Sequence, residues 1–488
     1  MRTYLFYDIE TTGLNRAFDQ VVQFAAIRTD ETFHEIERHE IIVKLRLDVI
    51  PSPGAITAHC IPISRTHAGK CEFDATRSIH ALLNQPDTTS LGYNTLGFDD
   101  EFLRFAFYRN LLPPYTHQYA NNCNRMDLLP MVAMYWLYKN DVLEWPKFDG
   151  KVSLKLEHLS EANQLTDGMA HDALVDVEAT VELARRLIKE KDIWKYLANY
   201  FRKGYDIRRI GKLPRFSDKL SESFKFGLLI GSDFGSQQNY QVPVLAIGKS
   251  LPYRDQTLWL RLDLPTLQEA TEQTIPEKTW MIRKKYGEPG MIIPPYERFL
   301  ARIDPERTEI LEQNKRWLES NTELLEKIAT YYCEFAYPNV ADIDADAMLY
   351  HLGFLVDHDK ALCRRFHDVS LSEKVDMCEE FSSPVVHELA KRVIFRNYSL
   401  QMPDAFRGEF EAFKRKINPM SAEGALIDYK GGKRTTPMSA LEEIAKLRKE
   451  GDLNQEQIDR LDELEAYIRA NFPILEPGSQ VSLQFDIP

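Results

Sequence analysis

Apolar residues recur along this chain with two periods. Thr3 to Glu10, Val21 to Arg28 and Ile41 to Leu45 are short apolar runs separated by polar turns, the pattern of adjacent strands and most simply of a three-stranded meander. Pro51, Pro53 and Gly54 break that pattern, helical segments follow, and Ser90 to Asn94 reads as another buried strand leading into a loop. From Asp172 to Ile188 the period lengthens. Leu174, Val177, Val181, Ala184 and Ile188 recur every three or four residues, the stripe of an amphipathic helix. Alternating strands and helices predict a mixed α/β unit over roughly the first 190 residues.

The texture changes beyond about residue 195. Phe224 to Ile230, Tyr240 to Ile247 and Gln256 to Leu262 are β-like runs separated by Gly, Ser, Asn and Pro, which predicts a small β-rich region. Beyond about residue 345 the chain is mostly helical. It ends in Met438 to Glu450 and Gln455 to Asn471, joined by Gly451-Asp452-Leu453-Asn454 as a helical hairpin. Single cores stop growing near roughly 250 to 300 residues, so 488 residues imply two or three domains.

Composition narrows the class. The 44% apolar and 28% charged content is that of a soluble globular protein. The N-terminus reaches Asp8 before an apolar stretch could serve as a signal segment, and no later run approaches ~18 apolar residues, so a cytoplasmic protein with no membrane span is expected. Cys60, Cys71, Cys123, Cys333, Cys363 and Cys378 lack any C-x-x-C spacing and read as packing residues in a reducing compartment. A net charge of -13 excludes a basic footprint over the whole chain, so any nucleic-acid contact must come from local patches. The densest is Tyr200-Phe201-Arg202-Lys203-Gly204-Tyr205 with Arg208, Arg209, Lys212 and Arg215, opposed only by Asp206. It suits phosphates, an acidic peptide, or simply a solvated interdomain linker.

Three acidic segments carry candidate chemistry. Asp8-Ile9-Glu10 closes the first strand, and period-2 alternation places both carboxylates on one face, about 7 Å apart along the backbone. Two hard anions facing one way suit Mg²⁺ or Mn²⁺. Thr11-Thr12-Gly13 then ends the strand in a turn expected to leave backbone N–H groups exposed beside them. Asn94-Thr95-Leu96-Gly97-Phe98-Asp99 adds a third carboxylate, which could equally be a helix N-cap unless Asp100 takes that role. In His171-Asp172-Ala173-Leu174-Val175-Asp176, five residues at about 100° each separate His171 from Asp176 by roughly 140°, so the two share a face only if His171 lies on the loop before the helix.

The order Asp-x-Glu, Asn-x-x-x-Phe-Asp and His-x-x-x-x-Asp resembles the three exonuclease motifs of the DEDDh group in the ribonuclease-H-like superfamily. Phe24 to Asp30, Leu91 to Asn94, Phe98 to Glu101, Phe107 to Asn110 and Leu156 to Leu159 extend the resemblance to the exodeoxyribonuclease I family. Leu349 to Phe354 and Arg392 to Tyr398 carry it more weakly towards the C-terminus.

The resemblance implies a ribonuclease-H-like exonuclease domain with a mixed sheet (residues 1–192), an SH3-like β domain (193–345) and a helical C-terminal domain (346–488) around a groove for single-stranded DNA. It implies 3′–5′ release of 5′-mononucleotides by two-metal-ion hydrolysis, in DNA repair and recombination. Asp8, Glu10, Asp99 and Asp176 would be metal ligands for two Mg²⁺ ions, with Mn²⁺ able to substitute, and His171 the general base. Glu10 would also touch substrate, and Lys155 stands where the family carries arginine for a phosphate contact. Arg104, Tyr115 and Tyr119 match DNA-contacting positions, although both tyrosines could serve core packing. The implied partner is the acidic C-terminal tail of single-stranded DNA-binding protein, received by the basic stretch or by Arg392 and Arg396. A monomer is the expected state. The same five active-site residues would serve an exoribonuclease, and a non-catalytic adaptor could keep the fold.

Overall fold

The computed structural model describes residues 2–166, 172–417, 419 and 422–472. Strands β1 (Thr3–Thr11), β2 (Val21–Thr29), β3 (Glu35–Ile42), β4 (Thr88–Leu91) and β5 (Asn124–Arg125) form a five-stranded sheet in the order β3-β2-β1-β4-β5. The first three pair antiparallel as a meander, whereas β4 runs parallel to both β1 and β5, so the sheet is mixed. The third strand falls earlier than its apolar pattern indicated. Glu35 to Glu40 are mostly charged because β3 is an edge strand exposed to water, where charge discourages pairing with another chain. Likewise the fourth strand ends at Leu91 rather than Asn94.

Alternation along β1 sorts its two faces. Leu5, Tyr7 and Ile9 share a core with Phe24 and Ala26 of β2, with Ile79 and Leu83 of the helix Glu72–Leu83, and with Phe102, Leu103 and Phe107 of the helix Asp99–Arg109. Phe6, Ala25 and Ile27 face the opposite way, onto Val177, Val181 and Ala184 of the helix Ala173–Leu187. Each Leu, Ile, Val or Phe among them contributes about 1.5–3 kcal/mol on burial, so these stripes dictate which helix lies on which face. Asp8 and Glu10 continue the row begun by Phe6.

A second five-stranded sheet is antiparallel throughout. Its strands are β6 (Phe226–Ile230), β7 (Gln241–Lys249), β8 (Gln256–Arg261), β9 (Met281–Lys285) and β10 (Met291–Ile293), in the order β9-β8-β7-β6-β10. The last two were not evident in the sequence. Helices Pro305–Ser320 and Thr322–Glu334 cover this sheet through Leu311, Leu318, Leu325 and Ile328, so the region is not β-rich alone. The final part is helical as expected, and the hairpin Pro437–Glu450 and Gln455–Asn471 stands where it was read.

The core of the helical part is continuous with that of the first part. Phe18, Phe73, Phe105 and Tyr108 share one cluster with Phe366, Leu389, Phe395 and Phe410, and the terminal hairpin packs Ile444, Leu461 and Leu464 against Val49, Ile56 and Ile63. A charged network crosses the same seam. Arg396 bridges Asp346 (2.6 Å) and Asp48 (2.8 Å), Arg392 pairs with Asp344 (2.5 Å), and Arg46 joins Asp48 (3.2 Å) to Glu72 (3.0 Å). Arg392 and Arg396 are therefore buried structural cations and present no surface to a partner peptide, which corrects that expectation. Among the described residues no helix is long and apolar enough to cross a membrane, and all six cysteines are free.

Candidate active site

The acidic row on the first strand meets a carboxylate from the helix that covers it. Oxygen atoms of Asp8, Glu10 and Asp176 lie within 4.8 Å of one another. Asp176 occupies the first turn of the helix Ala173–Leu187, whose N-cap is Asp172, accepting from the Leu174 N–H at 3.0 Å. His171, the residue before that cap, lies outside the described residues.

Asp99 approaches from the other face of the sheet. Its Oδ1 accepts the backbone N–H of Ile9 at 3.1 Å, which lodges it between Asp8 and Glu10 in sequence. Neither Asp99 nor Asp100 caps the helix Asp99–Arg109, whose N-cap is Phe98 without a side-chain bond. Three consecutive carboxylates instead take three separate roles. Asp99 faces the metal-ligand candidates, Asp100 binds His117 (2.8 Å), Arg104 (2.5 Å) and Arg125 (2.7 Å), and Glu101 binds Arg16 (2.7 Å) and the hydroxyls of Tyr350 (3.0 Å) and Tyr429 (2.9 Å). The last two tie the helical region to the edge of the site.

The loop between β4 and Asp99 is held by Asp127, a residue that motif reasoning missed. Its carboxylate accepts from the backbone of Asn94 (2.9 Å), Leu96 (3.0 Å) and Leu129 (3.0 Å), so one side chain caps the helix Leu128–Tyr138 and fixes the third-carboxylate loop. An Asp before an apolar helix is a readable N-cap signal, but its long-range bonds are not. Gly92 is required in this loop, since a Cβ there would sit 2.5 Å from the Tyr7 carbonyl oxygen. The turn after Glu10 differs from expectation. The Thr12 N–H donates to Gln20 O at 2.8 Å and the residue is buried, so it offers no donor to a ligand.

The electrostatics state what the site lacks. Burial, then the charges of Asp99, Glu10 and Asp176, push Asp8 well above the usual carboxylate range. Burial, then Asp176, Asp99 and Asp172, push Glu10 up to about 8, and burial pushes Asp99 up to about 8 despite the N–H of Ile9. Every influence on Asp8 and Glu10 acts in the same direction, against the charged form. Hard oxygen donors at this spacing, with so little counter-charge, fit a divalent cation.

A cleft of about 670 Å³ opens beside this cluster, lined by Asp176, Asn94 and Lys155 on one side and by Ser232, Ser236 and Tyr240 from the second-sheet region on the other. Lys155 is 69% exposed and pairs with Glu157 at 3.1 Å. Arg104 is buried against Asp100 and stacks over Tyr115 at 5.6 Å, whereas Tyr119 is 69% exposed. The structure thus brings Asp8, Glu10 and Asp176 together, holds Asp99 against the Ile9 backbone behind them, and places Lys155 on the cleft that Asp176 lines. The basic stretch is partly neutralised. Lys203 pairs with Asp255 (2.8 Å), Arg215 with Glu222 (3.3 Å), and Arg209 stacks on Tyr200 (3.9 Å).

Comparison with known proteins agrees with this geometry. The family described as "Exonuclease" matches residues 5–184, and "Exonuclease I C-terminal domain" matches residues 343–471. Exodeoxyribonuclease I of Escherichia coli K12 is 30% identical over 381 residues, covering 74% of this chain and 78% of that protein. The crystal structure of E. coli exonuclease I in complex with a dA16 oligonucleotide superposes with a TM-score of 0.84 at 24% identity, over 96% of this chain and 100% of that one. That of SSB/exonuclease I in complex with the inhibitor CFAM gives 0.80 at 24% identity, over 96% and 100%. With a ribonuclease-H-like sheet, a converging acidic cluster and matches that reach both ends of the described fold, the chain belongs to the exodeoxyribonuclease I family.

Proposed function

We propose that this chain removes nucleotides from the 3′ end of single-stranded DNA, releasing 5′-mononucleotides in DNA repair and recombination. The observation that carries the reading is the convergence of Asp8, Glu10 and Asp176 with Asp99 lodged behind them, in a chain of this family. These four carboxylates would hold two Mg²⁺ ions, with Mn²⁺ able to substitute. When bound, the ions supply charge stabilisation and an acidified water.

The chain's own residues do the rest. His171, on the segment before Asp172, accepts a proton from the attacking water, a role suited to a side chain with an ordinary pKa of about 6.5. Lys155 faces the cleft as a point charge for a backbone phosphate, and Glu10, beside Asp176 at the cleft wall, also touches substrate. The exposed ring of Tyr119 offers a stacking surface to bases, and Arg104, stacked over Tyr115, is a further contact for the strand.

In this reading the chain divides into an exonuclease domain (1–192), an SH3-like domain (193–345) and a helical domain (346–488). It works as a cytoplasmic monomer. The acidic tail of single-stranded DNA-binding protein docks on the basic stretch, where Arg202, Arg208 and Lys212 have no ion pair among the described residues. The test is incubation with Mg²⁺ and 5′-labelled single-stranded DNA, duplex DNA and RNA of one sequence, beside Asp176→Ala. A descending ladder from single-stranded DNA alone, lost in the variant, is expected. Degradation of RNA instead would make the protein an exoribonuclease.

A further inference from the structure

Between the helices Leu128–Tyr138 and Leu156–Asn163 the chain forms a small hairpin, Lys147–Phe148 paired with Lys151–Val152. Asp149 and Gly150 at its tip both have positive φ, 50° and 76°, the conformation of a two-residue turn with the tightest strand pairing. That register sets Phe148 directly opposite Lys151, so both side chains leave the same face. Both line the cleft that also holds Asp176.

Phe148 is unusual in its setting. It is 52% exposed although large apolar cores lie on either side. His158 packs against one side of its ring, with centroids 4.3 Å apart and planes tilted by 38°, and the His158 Nδ1 shares a hydrogen bond with the Ser153 hydroxyl at 2.8 Å. Other bonds anchor the hairpin to the loop after β4 and to the turn before β7. The Tyr240 hydroxyl donates to Val152 O at 2.7 Å, the Tyr93 hydroxyl to Leu154 O, and the Lys151 ammonium to Gln237 Oε1. Lys151 meets no carboxylate among the described residues. The result is a flat aromatic ring, backed on one side, beside an ammonium without a counter-ion, both held in place before any ligand arrives.

We propose that this tip grips one nucleotide of the substrate strand, with Phe148 as a stacking platform for the base and Lys151 as the contact for an adjoining phosphate. The proposal rests on the single-stranded DNA reading above. Stacking on a ring uses the face that every base has, so the grip is indifferent to sequence. Because the platform is ordered in advance, little conformational freedom is lost on binding.

The experiment couples protein and substrate changes. Phe148→Leu keeps apolar bulk against His158 but removes the flat ring, and a single abasic nucleotide is stepped through the 3′ end of a labelled strand. Expected is a rise in KM of about 5- to 100-fold on intact DNA with kcat unchanged. One abasic position should give the same rise in the unaltered protein, with no further loss when the two changes are combined, and Phe148→Trp should restore binding. Additive losses at every position, an unchanged KM, or a loss of kcat that Phe148→Trp does not rescue would overturn the proposal. Failure of the unaltered protein to degrade any single-stranded DNA would instead defeat the functional reading on which it rests.

Discussion

Two acidic clusters in this molecule behave oppositely. Asp8 and Glu10 meet other carboxylates, and burial plus like charge push both upward. Asp48 and Asp346 are more completely buried, yet Arg396, Arg46 and Arg434 hold Asp48, and Arg396 and Arg392 hold Asp346, below the usual carboxylate range although burial acts the other way. Burial raises the pKa in both clusters; the counter-charge decides. At the seam the chain supplies its own cations, and the network closes on itself. At the sheet the cation must come from outside, which separates a functional cluster from a structural one.

The largest expected effect tests the open cluster. Asp8→Asn keeps the shape and removes a charged donor, and should lower kcat by more than about 1,000-fold, the several kcal/mol that a Lewis-acid ion supplies. Its folded state should be intact by circular dichroism. A variant that retained a tenth of the activity would show that the cluster does not hold the catalytic ion. His171→Ala should lose about 10²–10⁴-fold, less than the ligand variant, because a general base contributes that range.

Next comes the closed cluster. Arg396→Ala leaves Asp48 and Asp346 buried without their main partner and should destabilise the protein by about 3–5 kcal/mol in urea unfolding. Added Mg²⁺ should not restore the loss. A change below about 1 kcal/mol would mean that Arg46, Arg392 and Arg434 suffice, and the contrast between the two clusters would weaken.

The sequence carried these two clusters unequally. Asp8 and Glu10 were readable as a pair because strand alternation acts over a few residues, whereas Asp99 and Asp176 were singled out by the order of motifs that the family shares. So were β1, β2 and the helix around Asp176, where apolar periodicity is strong. β3 was displaced because an edge strand needs no apolar pattern, and Met281–Lys285 and Met291–Ile293 were missed because short strands completing a sheet take their identity from neighbours. Arg392 and Arg396 looked like surface cations because their partners Asp48 and Asp344 lie far off in sequence. Asp127 and Phe148 were overlooked for the same reason, since their significance lies in what long-range folding places beside them.

A smaller effect sharpens the comparison through pH. Glu10 has an ordinary pKa of 4.5 and is pushed up to about 8 in the fold, so the folded metal-free protein retains a proton that the unfolded chain releases. The penalty is absent below 4.5, grows as pH rises, and is complete above about 8. Glu10→Gln should therefore stabilise the metal-free protein at pH 8.5 by about 0.5–2 kcal/mol, and not at pH 4, as thermal unfolding in EDTA would measure. Mn²⁺ should reverse the order, raising the Tm of the unaltered protein more than that of the variant. Equal responses to pH in both proteins would show that Glu10 bears no such strain.

The smallest effect concerns Lys155, which with Lys151 is one of two lysines lining the catalytic cleft. Lys155 is 69% exposed and its pair with Glu157 spans 3.1 Å, so water screens it in a way that Arg396 never experiences. Lys155→Met should shift stability by less than about 1 kcal/mol. Its consequence should appear in binding alone. Loss of a single phosphate contact to a single strand should flatten the slope of log Kd against log salt by about 0.7. If the slope is unchanged while KM rises, Lys155 acts through Glu157 and the cleft wall rather than on phosphate. If stability falls by several kcal/mol, exposure is not what distinguishes this lysine from the arginines of the seam.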